Sequence, residues 1–208
     1  MHTPDATPNP TLIKAPIADA ALDQIFRKAR THSAWLPKAV PVDLLRKAYD
    51  LARLGPTSAN SLPGRFVFLT TAEAKNRLRT ALAPGNVEKT MAAPVTVIIA
   101  WDVEFHQQLP RLFPQRDMRS YFVGNKALID ETAFRNSSLQ AGYFMLAARA
   151  LGLDCGPMSG FDADKVNAEF FPDGKWKVNL LCNLGYGDQS QLYERNPRLE
   201  FEEAAVVL

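Results

Sequence analysis

The run Pro94 to Trp101, PVTVIIAW, contains no charged residue and only one hydroxyl. It is far shorter than the roughly 18 apolar residues that a membrane helix needs, and its β-branched content marks it as a buried strand. A strand of this kind lies at the centre of a sheet, so the rest of the chain must supply its cover. Most of that cover is helical. Asp19 stands in a capping position ahead of Leu22, Ile25, Phe26 and Ala29, spaced i, i+3, i+4, i+7, and this first helix is expected to end near Thr31. A second helix is expected from Pro41 through Leu44, Leu45, Ala48, Leu51 and Ala52, stopped by Gly55 and Pro56.

Arg65 to Thr70 reads as another strand, and Thr70 with Glu73 makes a capping-box signal for a helix through Leu82. The longest helix is expected over Ile129 to Leu151, with Ala133, Ser137, Ala141, Ala147 and Ala148 allowing close packing and Gly152 ending it. After a loop from Cys155 to Phe161, Asp162 can cap a short helix to Phe170, and Lys177 to Leu184 makes a further strand. Two or three strands among long helices, without regular βαβ spacing, define an α+β sandwich. At 208 residues the chain fits one domain, expected over 18–208. Residues 1–17, polar with four prolines, are expected to form a flexible arm. The stretch 102–126, rich in Phe and Arg and broken by Pro110 and Pro114, is expected to be a lid insertion.

Several function classes are disfavoured. Lys and Arg exceed Asp and Glu by only 24 to 22, which gives no electrostatic footprint for nucleic acid. No apolar run is long enough for a membrane span. Two cysteines and a start unlike a secretion signal lead to the expectation of a cytoplasmic protein with inert, buried thiols at Cys155 and Cys182. His2, His32 and His106 lie far apart with no ligand spacing, so no metal is expected. The segment GNVEKT at Gly85 to Thr90 places Glu88 where a phosphate-binding loop needs Gly before its Lys. No G-x-G-x-x-G follows a strand and no Ser occupies a G-x-S-x-G turn. Trp101 and Trp176 are expected in the core.

What remains is an ordered set of polar or glycine-containing segments at element boundaries: Arg30-Thr31-His32, Pro56 to Asn60, Asn86 to Lys89, Pro157 to Phe161, and Arg195 to Arg198. Taken singly, Arg30 is a solvated helix-end residue, Lys89 a surface charge and Arg195 part of an exposed tail. Taken together and in this order, they resemble the FMN-dependent nitroreductase family. Within it, GPTSAN at Gly55 to Asn60, ETAFRNSS at Glu131 to Ser138 and GPMSGFD at Gly156 to Asp162 resemble the branch of the malonic semialdehyde reductases of bacterial pyrimidine degradation.

The resemblance implies a three-layer sandwich with a central, mostly antiparallel sheet flanked by helices, in a domain-sharing homodimer with FMN at the interface. Arg30 would bind the FMN phosphate, followed by Thr31 and His32 toward the ribityl chain, with Arg198 and Arg195 reaching the phosphate from the C-terminal side; a dianion suits guanidinium forks. Thr57, Ser58 and Asn60 would meet the pyrimidine edge of the flavin. Here the sequence departs from the family, with Leu62, Pro63 and Gly64 where Gln, Pro and an aromatic are frequent. Asn86 and Lys89 would face the N1 and carbonyl region, where a cation favours the reduced ring. Ser159 and Gly160 stand where relatives have Glu and Gly near flavin N5.

The implied activity is ping-pong hydride transfer from NADPH or NADH through flavin N5 to a small molecule, with no catalytic side chain required. The branch implies reduction of malonic semialdehyde to 3-hydroxypropionate; a broad-specificity NAD(P)H nitroreductase or quinone reductase is the alternative, and a non-catalytic flavin-binding protein a third. For an acceptor carrying a carboxylate, the cations considered are Arg65, Arg116 and Arg119, with Arg119 favoured because Tyr121 and Phe122 beside it can close the lid. Arg119 as a solvated loop residue remains the other reading.

Overall fold

The computed structural model describes residues 14–208, so the first thirteen positions of the expected arm lie outside the described residues. The central strand β2, Val95–Asp102, is buried at every position but its last. It pairs antiparallel with β1, Gly64–Leu69, on one side and with β4, Trp176–Gly185, on the other. β3, Asp154–Met158, adds antiparallel to β4, giving the order β1-β2-β4-β3.

Alternation along β2 builds the layers. Val95, Val97 and Ile99 face Leu45 and Ala48 of α2, Val42–Ala52, and Ala141, Phe144 and Ala148 of α6, Lys126–Ala150. Ile98 and Ala100 point the other way, against Leu78 of α3, Ala72–Arg79, and Val166 of α7, Ala163–Phe170. Two apolar clusters on opposite faces of one sheet make the expected α+β sandwich. Replacing Ile98, which is fully buried, with Ala costs about 2–5 kcal/mol.

Several local expectations need correction. The first helix, α1, covers only Asp19–Leu22 and continues as a wider π turn over Asp23–Arg27, so it stops short of Thr31. Asp19 lies inside its first turn and pairs with Arg27 at 2.8 Å instead of capping. Thr71 caps α3, accepting from the Ala74 N–H at 3.2 Å, in place of a box between Thr70 and Glu73. The segment set aside as a failed phosphate loop is a helix, α4, Pro84–Ala92, with Pro84 in the first turn where its missing N–H has no cost. β3 occupies part of the expected loop. Its Gly156 and Pro157 hide the strand pattern, and Pro is tolerated because β3 is an edge strand.

The stretch 102–126 is more structured than expected. It contains a 3-10 turn at Phe105–Gln108 and a short α5, Leu109–Leu112. Phe105, Leu109 and Phe122 are buried with Trp101 and Ala133 in a cluster of their own. Phe122 is therefore an anchor and not a mobile closure, whereas Tyr121 beside it is exposed. No helix among the described residues is long and apolar enough to cross a membrane.

Candidate functional site

After α1 the chain runs extended against β3, and its alternation sorts the side chains: Thr31 and Ser33 face outward, while His32 is buried between them. The His32 N–H donates to the Cys155 carbonyl at 3.1 Å, which fixes the strand-like course. Outward-facing Thr31 and Ser33 join Arg30, Arg149, Arg195 and Arg198 around a cleft of about 430 Å³. Arg30 donates to the Tyr193 carbonyl, and Arg195 to the carbonyls of Arg27 and Ala29 at 2.9 and 2.8 Å. Arg198 donates to the carbonyls of Asn196 and Pro197. Arg149 reaches the Ile25 carbonyl at 3.3 Å and keeps a buried Nε without a partner. None of these four guanidinium groups pairs with a carboxylate among the described residues, and with Glu194 the one acidic residue in the lining, the cleft carries an excess of positive charge. Such a cleft suits a phosphate.

The second group stands on α4. Asn86 Nδ2 donates to the Gly160 carbonyl at 2.7 Å, and the Ala83 N–H donates to the same oxygen at 3.0 Å. A Cβ at Gly160 would come within 2.5 Å of Asn86 Nδ2, so a larger residue there would have to push the Asn86 side chain off the Gly160 carbonyl. The N–H groups of Ser159 and Gly160 have no partner among the described residues. Lys89 is half-buried, forms no ion pair among those residues, and offers its carbonyl to Trp35 Nε1 at 3.2 Å and Asn183 Nδ2 at 3.3 Å. The end of α4 is held by Lys75, whose buried ammonium donates to the carbonyls of Met91 and Ala93. Burial pushes the Lys75 pKa down.

The third group is the turn after α2. Thr57 Oγ1 accepts from the Leu62 N–H at 3.1 Å, and Asn60 Nδ2 donates to the Leu112 carbonyl at 2.8 Å. Ala59, Asn60 and Leu62 all have positive φ, at 50°, 50° and 41°. Residues without glycine's freedom adopt this only where the surroundings impose it, and such strain concentrates at functional sites. Asn136 of α6 does the imposing, its Oδ1 accepting from the Ser58 N–H at 2.8 Å, while Gln140 Oε1 accepts from the Gly64 N–H at 2.7 Å. These glutamine and asparagine side chains show what the ETAFRNSS segment and the residues after it do in the fold.

Of the three cations considered, Arg65 is already committed, since it pairs with Asp102 and donates to the carbonyls of Leu62 and Gly64, and Arg116 is exposed with its Nε turned to Met118 Sδ at 3.0 Å. Arg119 is exposed, and its Nε donates to Gln107 Oε1 at 2.7 Å. Gln107 in turn touches His106, whose ring is buried and whose pKa is lowered by burial first and by the Arg119 charge second. The thiols are buried, as Cys155 and Cys182; hydrogen bonding with Cys155 and burial push Cys182 well above its ordinary pKa.

The turn after α2 and the cationic cleft do not meet in one chain. Asn136, which holds the strained turn, and Arg149, which lines the cationic cleft, are thirteen positions apart on α6, roughly 20 Å along its axis. Ser33 and Arg149 escaped the sequence reading; the two-residue alternation through Arg30-Thr31-His32-Ser33 was the available signal for the first, and nothing local marked the second.

The chain matches the family model described as "Nitroreductase family" over residues 16–186. It is 60% identical over 189 residues to a Ralstonia nicotianae protein, covering 91% of this chain and 97% of that one. It is 62% identical over 192 residues to one from Rhodopseudomonas palustris, covering 92% and 98%. Both bear the provisional name NADH dehydrogenase/NAD(P)H nitroreductase. Among solved structures it resembles a nitroreductase of Exiguobacterium sibiricum in complex with FMN, with TM-score 0.81 and 20% identity over 94% of this chain and 100% of that one. A gut-bacterial enone reductase has the same fold, with TM-score 0.79 and 19% identity over 93% of this chain and 100% of that one.

Proposed function

This chain belongs to the nitroreductase family, and on that premise we propose that it is a homodimeric, FMN-dependent NAD(P)H oxidoreductase that reduces a small acceptor. The observation that carries the reading is the set of four guanidinium groups around the cleft, all turned to neutral carbonyls and, among the described residues, none to a carboxylate. Arg30, Arg195 and Arg198 would hold the FMN phosphate with Thr31 and Ser33 donating hydroxyls, and Arg149 would add charge from below. Lys89 and Asn86 would stand toward the pyrimidine end, and the unpaired N–H groups of Ser159 and Gly160 toward the central ring. Bound there, FMN supplies the two-electron chemistry between NADPH or NADH and the acceptor.

The turn Thr57-Ser58-Ala59-Asn60 would serve the site of a second copy. Leu51 and Leu54 at the end of α2 and Leu139 and Tyr143 of α6 are exposed, and Tyr143 packs on Gly55, which makes one apolar surface across both helices. A patch of this kind belongs under a partner. Among the described residues the outer edge of β1 is unpaired, and residues 192–208 carry Tyr193, Leu199, Phe201 and Val206 to Leu208 exposed, as a segment that wraps another molecule would. The two buried free thiols fit the reducing cytoplasm.

We assign malonic semialdehyde, reduced to 3-hydroxypropionate, as the acceptor, on the three sequence strings that resemble that branch. The names of the relatives favour a broad NAD(P)H nitroreductase instead, and kcat/KM compared across the semialdehyde, a nitroaromatic and a quinone separates the two. The primary test is flavin binding. Replacing Arg30 or Arg198 with Ala removes a charge-assisted contact of about 1.5–3 kcal/mol and lowers FMN affinity tenfold or more. Unchanged FMN retention in both variants would sink the assignment. Bleaching of the yellow protein by NAD(P)H without oxygen tests the oxidoreductase reading.

A further inference from the structure

We propose that His32 is a positioning residue that holds both walls of the cationic cleft in register, without touching the bound anion itself. The inference rests on the reading of that cleft as the FMN phosphate site. Its ring is turned away from the cleft, because Thr31 and Ser33 take the outward places in an alternating segment, and its side chain is only 1% exposed. The ring instead fills the space where a side chain at position 187 would stand: a Cβ on Gly187 would lie 2.0 Å from its Nδ1. Its backbone makes an equally close approach on the other side, where a Cβ on Gly156 would lie 2.5 Å from the His32 carbonyl oxygen.

Asp154 closes the knot. Its Oδ1 stands 3.5 Å from His32 Nε2, while its Oδ2 accepts the Gly187 N–H at 2.9 Å. One buried ring and one carboxylate therefore join the segment that carries Arg30 to the turn from which the chain runs on to Arg195 and Arg198. Neither ring nitrogen has a well-formed hydrogen bond among the described residues. Packing, with the Asp154 contact, keeps the ring in place, and a buried polar group left without partners needs a reason for its position. Here the reason is the fixed spacing of two arms, which the Arg30 contact with the Tyr193 carbonyl and the Arg195 contacts with the Arg27 and Ala29 carbonyls tie only at the exposed rim.

The test separates the phosphate from the ring system. Flavin-depleted full-length protein is titrated, by quenching of flavin fluorescence, with FMN and with riboflavin, which has no phosphate. His32→Ala and Gly187→Ala are expected to lower FMN affinity tenfold or more and to leave riboflavin affinity within about twofold. His32→Gln, which refills most of the volume, should recover part of that loss. Should His32→Ala not fold, Gly187→Ala and His32→Gln carry the comparison. Equal losses for both ligands would mean a general structural role and overturn the proposal, as would unchanged FMN affinity in folded variants. Wild-type protein that binds FMN no more tightly than riboflavin would instead remove the phosphate-site reading on which the inference stands.

Discussion

Asn136→Ala tests whether α6 imposes the strained turn on which half of the proposed site depends. Asn136 is buried and makes two hydrogen bonds of 2.8 Å, accepting from the Ser58 N–H and donating to the Thr132 carbonyl. The Thr132 carbonyl sits in helix and keeps its ladder partner, so its loss is small. The Ser58 N–H is partly buried and has no substitute, which puts the cost at the lower end of the 1–3 kcal/mol range for an orphaned donor. With a small void left behind, the total is about 2 kcal/mol, or roughly 4–8 °C in Tm for a chain of this size. Ala59, Asn60 and Leu62, each held at positive φ at a cost of roughly 1 kcal/mol or more, then relax away from the bound geometry. FMN affinity is expected to fall about tenfold as Thr57, Ser58 and Asn60 leave the flavin's edge. Thermal unfolding and flavin titration read the two effects separately. A Tm within 2 °C of wild type would refute the claim that Asn136 holds the turn; a lowered Tm with unchanged FMN affinity would show that the turn does not serve the flavin.

Three further outcomes follow from the same geometry. Sedimentation at micromolar concentration should show a dimer, because the apolar surface of Leu51, Leu54, Leu139 and Tyr143 needs cover; a folded, FMN-bound monomer would contradict it. Arg119→Ala should raise KM for malonic semialdehyde more than about tenfold and leave an uncharged quinone little affected, whereas equal effects would deny Arg119 a role in holding a carboxylate. His106, with Asp102, Glu104 and Arg119 as its charged neighbours, has a lowered folded pKa, so the unfolded chain takes up its proton first. Stability should therefore fall as pH drops below about 6.5, and Tm measured between pH 5 and 8 should lose that component in His106→Gln.

The central strand and the long helix were legible because each follows from a pattern that burial alone decides: an unbroken β-branched run for β2, and a spaced set of small residues ended by Gly152 for α6. β3 and α4 were not, for opposite reasons. In β3, Gly156 is required by the close approach of the His32 backbone and Pro157 is allowed by an edge position, so tertiary contacts chose residues that erase the strand pattern. In α4 the helix former signal was present at Pro84, but the segment's polar groups drew it toward a phosphate-loop comparison it could not meet. The lid was misjudged at Phe122 because burial by distant Trp101 and Ala133 leaves no local trace.

The residues singled out by resemblance fall into two kinds once placed, and the difference is physical. Among the described residues, Lys89 and the Ser159-Gly160 amides have no partner, and Arg30, Arg195 and Arg198 donate only to neutral carbonyls with no carboxylate pairing their charge, so a phosphate can still gain charge–charge attraction there. Asn86, Asn60 and Arg65 have partners of their own within the chain, at Gly160, Leu112 and Asp102, and using them on a ligand requires an exchange of partners. An exchange returns less than a new bond, since the net value of a hydrogen bond is the difference between two partners. The cationic cleft should thus dominate affinity for the cofactor, while Asn60 and Asn86 set its orientation. The turn from Thr57 to Asn60, held by Asn136 some 20 Å along α6 from that cleft, then acts only where a second copy brings it across. On the proposed reading, most of the affinity would come from one chain's cationic cleft, with a smaller share, and the orientation of the ring, from the turn of the second copy.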